Sequence, residues 1–469
     1  MNAPLIFIGI PALVGIILFV LRRWKKLSIF IAASLCLLLA LLAWLMPFGK
    51  PLQIGLLTIE LEPSYSILGR KFVLAAADRP LIIFINLALA FWYIGALECD
   101  VFSPFISISL FISAVLMAAI IVQPFYYGVI LFLIAMILSV GLLASARQRV
   151  EAGLIRFLEY QTMSLPLLLF GGWMIGNLEL NPNDATQVYT LALIVSIGLA
   201  LLLALFPFHS WLSMIAERNH PYLVSFLFFI YLVFANIFAI LFIRQSQWLS
   251  GSIWLIAFLR ISGFLMTLVG GLEAAFAHHA GKLLGFTVMV VIGFIQLSSS
   301  LAFVSNDMPQ LLAIIFPLLT MSMICLGVLG LAMSLLFNQT QDLNFPSLAG
   351  IGGLFPFSAL ASFIGFLSLA GFPITMGFPI YLIVWQNLFN NFPLGGLSAI
   401  VGSLGILSGS VRLLAVLMRS ESNLRPLNGE NINQRMLIGL GVIIILLGGI
   451  LPQIFFPIAY HLGQIFFGG

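Results

Sequence analysis

The chain has 469 residues, 62% of them hydrophobic and 7% charged, with a formal net charge of +4. A soluble globule of this length needs far more polar surface, and a nucleic-acid binder needs a concentrated basic face, so the composition excludes both. The three cysteines, Cys36, Cys99 and Cys325, form no CxxC or Cys/His cluster; free thiols are expected, with no metal site, no haem and no other cofactor.

Apolar runs of about twenty residues recur from end to end, and each must span as a helix because lipid leaves unpaired backbone groups no partner. The predicted fold class is therefore all-α integral membrane, with about fourteen transmembrane helices. In chain order they fall near 3–21, 28–48, 80–98, 102–122, 125–145, 153–177, 187–211, 221–243, 252–274, 283–304, 309–337, a broken 353–390, 396–418 and 436–458. The first run has no basic region in front and no small-residue cleavage site behind, and reads as a retained helix. The longest connection, 49–79, reads as a loop holding Glu60, Glu62, Arg70, Lys71, Asp78 and Arg79.

Basic residues set the orientation. Placing the N-terminus outside gives the inside loops Arg22, Arg23, Lys25, Lys26, Arg147, Arg149, Arg218, Lys282, Arg419, Arg425 and Arg435, and leaves outside only Lys50, Arg70, Lys71, Arg79 and Arg244. The expectation is N-out and C-out.

Two hydrophobic runs are interrupted in the same way, by Pro207 in Leu205–Trp211 and by Pro373 in Leu367–Pro379. Proline removes a donor and clashes with the preceding turn, so each run should break and free carbonyls inside the membrane. One such break is as readily a packing kink; a matched pair in two halves of a chain points to an inverted repeat with a polar pathway between them.

The residues around the first break carry a resemblance. Phe206-Pro207-Phe208-His209-Ser210-Trp211-Leu212, followed by Glu217-Arg218-Asn219-His220-Pro221, resembles the PxHxWLPDAxxxAPTPVSA region of the antiporter-like subunits of respiratory complex I, membrane-bound hydrogenases and Mrp-type Na+/H+ antiporters. Lys282-Leu283-Leu284-Gly285-Phe286-Thr287 is similar to that family's KRLLAYSS segment, and Leu367 to Phe378 to its LSLAGIPPLAGF. The likeness runs from about residue 75 to 460. It implies two inverted five-helix repeats, helices 4–8 and 9–13, and a division into 1–100, 101–245, 246–420 and 421–469. It also implies a midplane row of buried charges: a Glu in helix 5, a Lys in broken helix 7, Lys or His in the second repeat, and Lys or Glu in helix 12.

The sequence departs from that row. The helix-7 lysine aligns with Leu202, the helix-12 lysine with Tyr381, and the histidine of the KRLLAYSS helix with Val291. The aspartate of WLPD is Met214. The helix-5 glutamate aligns within 133–136, where no acid occurs, or under a shifted alignment with Gln161. Aliphatic side chains bind no proton and tyrosine titrates only near pH 10, so the standard relay cannot use these positions.

Five other residues remain as candidates for a proton or ion path: His209, Arg260, Glu159, Glu273 and Lys282. His209 would be a relay at the break or a cap on its freed carbonyls. Arg260 lies inside an apolar helix, where a charge costs from about 2.5 to over 10 kcal/mol, so it reads as a surviving cation of the row or as an anchor for packing or a partner. Glu159 can pair with Arg156 one turn away or replace the missing acid. Glu273, His278, His279 and Lys282 read as a polar cluster between two helices, and Arg412 as a side chain that snorkels to the surface. No catalytic residue is expected.

The reading is a membrane subunit of a complex I-like proton- or ion-translocating assembly, with other membrane subunits and lipid as partners and no nucleic acid. Its conduction is expected to be impaired or altered. The rivals are an active antiporter module using a non-standard charge row and a stand-alone inverted-repeat solute transporter. The expected location is a bacterial cytoplasmic membrane or an organelle equivalent.

Overall fold

The computed structural model describes the chain except residues 1, 47, 50–51, 55–56, 60, 68, 100, 102–103, 144–150, 181–184, 420–428 and 469; residues 52–54, 57–59, 177–180 and 185 are described by their backbone alone. The expected helix ends at 102 and 145, and Lys50, Glu60, Arg147, Arg149 and Arg425, lie outside the described residues.

The principal helices are α1 Leu5–Val20, α2 Lys25–Leu45, α3 Arg79–Gly95, α4 Phe105–Ile121, α5 Gly128–Leu143, α6 Ala152–Leu180, α7 Ala185–Leu202, α8 Ser210–Arg218 and α9 Pro221–Arg244. They continue as α10 Ile253–Phe276, α11 Ala280–Ala302, α12 Ile315–Thr340, α13 Pro356–Leu369, α14 Gly377–Asn391, α15 Pro393–Leu417, α16 Ile432–Ile450 and α17 Pro452–Gly468. Among the described residues nine helical segments are long and apolar enough to cross a membrane, or ten if Phe345–Gly353 and Pro356–Leu369, bent by 118°, make one crossing. Leu5–Val20, Phe105–Ile121 and Thr186–Leu202 are apolar but shorter. The protein is thus an integral membrane protein; among the described residues the full-length apolar segments number nine or ten, against about fourteen helices expected.

Three local differences have local causes. The predicted helix 436–458 is two helices, because Pro452 cannot continue the ladder of α16 and instead starts α17. The helix expected to run to residue 211 stops at Leu202, before the proline it was assumed to reach. The connection 49–79 is not plain loop. Its strands β1 Leu52–Ile54 and β2 Leu57–Ile59 pair with each other, and β3 Ser64–Ile67 and β4 Arg70–Val73 form a sheet with β5 Val122–Gln123. Gly69, at φ +73°, makes the tight turn between β3 and β4.

The core is built around α9. Every residue of it except Leu241 and Arg244 is buried, as a helix apolar on all sides requires. It packs against α4, α11 and α12, and Trp92 of α3 sets its ring 5.0 Å from Tyr222 and 5.5 Å from Phe226. Two groups surround it in sequence. In α4–α9 and again in α10–α15 the fourth member is interrupted, as α7/α8 in the first group and α13/α14 in the second.

The start of α13 is fixed by a buried acid. Glu430 accepts hydrogen bonds from the Ser358 amide and hydroxyl, both 2.7 Å, and from the Phe357 amide at 3.3 Å. A carboxylate is well placed there because the first amides of a helix have no intrahelical acceptor.

Candidate ion pathway between the two helix breaks

The first break spans residues 203–209. Ala204 is held at φ +51°, and the amides of Leu203 and Leu205 reach back to the carbonyls of Leu199 and Ala200. The Leu202 carbonyl is left for side chains. It accepts from Gln161 Nε2 of α6 at 3.3 Å and from the Tyr231 hydroxyl of α9. All three residues are buried. Since α8 has only nine residues, the break lies about 14 Å from that helix's far end.

The second break spans residues 370–376 and also contains left-handed backbone, at Gly371 (φ +71°) and Ile374 (φ +75°). A β-branched residue in that region is a true outlier, and such strain gathers at functional or switch positions. The Thr375 hydroxyl donates to the Phe372 carbonyl at 2.6 Å, and the Gly377 amide to Ser368 Oγ at 3.2 Å. Gly371 is required sterically: a Cβ there would stand 2.2 Å from Cδ2 of Tyr381. That tyrosine, on α14, is fully buried and stacks on Phe294 of α11, with centroids 4.3 Å apart; its hydroxyl is without a protein partner.

Between α9 and α11 lies a further buried polar contact. Asn236, five residues beyond Tyr231, accepts from Gln296 Nε2 of α11 at 2.8 Å and donates to the Leu232 carbonyl. Gln296 lies two residues from Phe294, the ring that carries Tyr381. Buried polar groups thus stand at three separate places: Gln161, the Leu202 carbonyl and Tyr231 at the first break, the Asn236–Gln296 pair between α9 and α11, and Tyr381 beside the second break. All of them are neutral. Amides and phenols can order water and satisfy freed carbonyls, but none binds or releases a proton near neutral pH.

The five charged candidates are not brought together with these groups. His209 is half-buried; its ring stacks on Phe206 at 5.4 Å, and its Nδ1 has no partner. It is therefore not the cap on the freed carbonyl, a role taken by Gln161 and Tyr231. Pro207 is exposed beside it. Arg260 lies two turns into α10, half-buried, its guanidinium 5.9 Å from the Phe392 ring at the α14/α15 junction, and it belongs to no ion pair among the described residues. Glu159 is exposed on α6. The expected pair with Arg156 does not form: Arg156 Nη1 donates to Ser210 Oγ at 3.1 Å and approaches Met214 Sδ at 3.4 Å, tying α6 to α8.

The expected cluster at the α10/α11 turn is divided among neighbours. Lys282 pairs with Glu217 of α8 at 3.0 Å. His279 caps α11, its Nδ1 accepting from the Gly281 amide at 3.0 Å, with Nε2 3.6 Å from Asp342. Arg412 reaches His278 at 3.1 Å and the Ala275 carbonyl at the end of α10. Glu273 stands apart, half-buried, with Oε2 unpartnered. Burial pushes the His279 imidazole below its ordinary value, against the opposing carboxylates of Glu217 and Asp342, while Lys282 adds to the lowering.

Tyr231, Asn236 and Gln296 were not among the candidates. The available signal was a lone amide or phenol in the middle of an apolar run. Gln161 lies on α6 rather than on α5, where the buried Ala135 and Met136 occupy the stretch aligned with the missing glutamate.

No family model matches the chain, and no curated protein matches it. Solved structures do. A chain of the Mrp complex from Dietzia sp. DQ12-45-1b superposes with a TM-score of 0.77 at 16% identity, covering 99% of this chain and 96% of that one. The chain has the antiporter-like fold. A chain of respiratory complex I from Thermus thermophilus shares that fold at TM-score 0.73 and 18% identity, covering 98% and 99%. So does a chain of the membrane-bound sulfane sulfur reductase, an archaeal respiratory membrane complex, at TM-score 0.77 and 13% identity, covering 100% and 98%.

Proposed function

We propose that the protein is a membrane subunit of a multisubunit, complex I-like or Mrp-like ion-translocating assembly, in which it serves mainly as a structural module with the standard proton relay removed. The observation that carries this reading is the Leu202 carbonyl held by Gln161 and Tyr231: the break is retained, and the lysine that would use it is replaced by a capped carbonyl. The fold shared with chains of such complexes along almost its whole length supports the assembly. The reading includes the divisions at 1–100, 101–245, 246–420 and 421–469, an N-out and C-out orientation, and a bacterial cytoplasmic or equivalent organelle membrane.

One observation favours altered conduction as a second reading. A cavity of about 690 Å3 opens beside the ends of α4, α6 and α9, with Asp78, Gln123 and Gln245 in its wall. It could admit ions and water on one side of the first group.

Membership is tested by purifying the tagged full chain in mild detergent. Co-migration with redox or Mrp-type membrane subunits is the expected result. A chain that runs alone and transports a solute by itself in proteoliposomes would overturn the proposal in favour of a stand-alone carrier.

A further inference from the structure

Away from the two helix breaks, α1, α4 and α5 enclose an apolar groove of about 370 Å3. Ile16, Phe19, Phe111 and Ile137 form its walls, with Gly15 and Gly141 between them. Gly15 draws α1 close to α4, since a Cβ there would lie 3.0 Å from the Ser107 carbonyl oxygen. Gly141 marks open space: a Cβ there would meet nothing within 4 Å. The lining comes from the last two turns of α1 and α5 and the first two turns of α4, so the groove lies at one end of these helices.

That end of the groove is basic. The chain leaves α1 through Arg22-Arg23-Trp24-Lys25-Lys26, of which Arg22, Arg23, Trp24 and Lys26 are exposed. The Arg22 guanidinium stands 5.1 Å from the centroid of Phe19, one of the groove's walls. Lys25 is turned away, donating to the Cys99 carbonyl at 3.3 Å. Clusters of Lys and Arg at the membrane surface attract anionic lipid, and an exposed tryptophan among them sits at head-group level.

We propose that this groove is a binding site for an anionic diacyl phospholipid, with one acyl chain lying along Gly15 and Gly141 and the phosphate at Arg22 and Arg23. Size favours a lipid over a partner's helix. A helix about 10 Å across displaces roughly 80 Å3 per ångström of length, so the groove would house less than one turn of it. The site is independent of the pathway and of the assembly proposed above.

The test is native mass spectrometry of the full chain released from nanodiscs containing equal amounts of phosphatidylglycerol and phosphatidylcholine. Preferential retention of phosphatidylglycerol is expected. Gly141→Leu, which fills open space, and the exposed double change Arg22→Gln with Arg23→Gln should each lower that retention about tenfold or more, as loss of the acyl slot or of two head-group charges requires. Equal retention of the two lipids, or retention unchanged in both variants, would overturn the proposal. It would equally be overturned if Gly141→Leu released a membrane subunit from the complex while leaving lipid retention as it was, since the groove would then seat a partner helix.

Discussion

Leu202 matters twice: its side chain holds no proton, and its carbonyl, freed by the break, fixes two donors in place. The buried tyrosines at the two breaks then differ in kind. Tyr231 donates to that carbonyl, so Tyr231→Phe should cost about 1–3 kcal/mol by leaving a buried acceptor short of a partner. Tyr381 has no partner for its hydroxyl, and Tyr381→Phe should be neutral or stabilising by up to about 1 kcal/mol. Thermal unfolding of the two variants in detergent checks the contrast. A clear loss of stability in Tyr381→Phe would mean that its hydroxyl has a bonded water. That Leu202 and Tyr381 carry no charge was legible in the sequence. The partners of the buried amides were not, since Gln161 and Gln296 meet them only across helices 41 and 60 residues distant in the chain.

At the scale of elements, the turn between α10 and α11 joins α8, α11 and the end of α12 in one polar latch. His279 accepts from the Gly281 amide through Nδ1, which places its proton on Nε2, facing Asp342. A second proton would have to occupy Nδ1 and break the cap. Burial holds this histidine below its ordinary 6.5. Above that pH it is neutral in folded and unfolded chains alike; below it, the unfolded chain takes up a proton that the fold refuses, and stability falls with pH. Asp342 loses some advantage to burial, but hydrogen bonds from Asn344 and Ser347, with His279 nearby, hold its carboxyl below the ordinary 3.8, so its contribution fades only in stronger acid. The melting temperature should therefore drop as pH falls from 6.5 towards 5. His279→Asn, which retains a capping acceptor without a titrating ring, should flatten that drop. An unchanged slope would show that Glu217, Lys282 or another group sets it. The broken helices were foreseeable from Pro207 and Pro373. The β3–β5 sheet was not, because its third strand lies about 50 residues further on, between two helices.

For the whole molecule, matched breaks in two successive groups, with neutral polar groups buried at and between them, describe the fold shared with the Mrp-complex and complex I chains. Helical periodicity and the lengths of the apolar runs made that architecture readable, because lipid forces every span to satisfy its own backbone. Packing decided what periodicity could not: Arg260 and Glu159 sit in apolar runs, yet one turns to Phe392 near a helix end and the other faces outward. The central claim is that this chain does not relay protons through its remaining ionisable groups. Proton flux through the assembled complex carrying His209→Ala, Arg260→Ala or Glu273→Gln tests it most directly. Flux unchanged from the parent, with assembly intact, is the predicted result; a loss of flux in any of these variants while the complex remains assembled would contradict it.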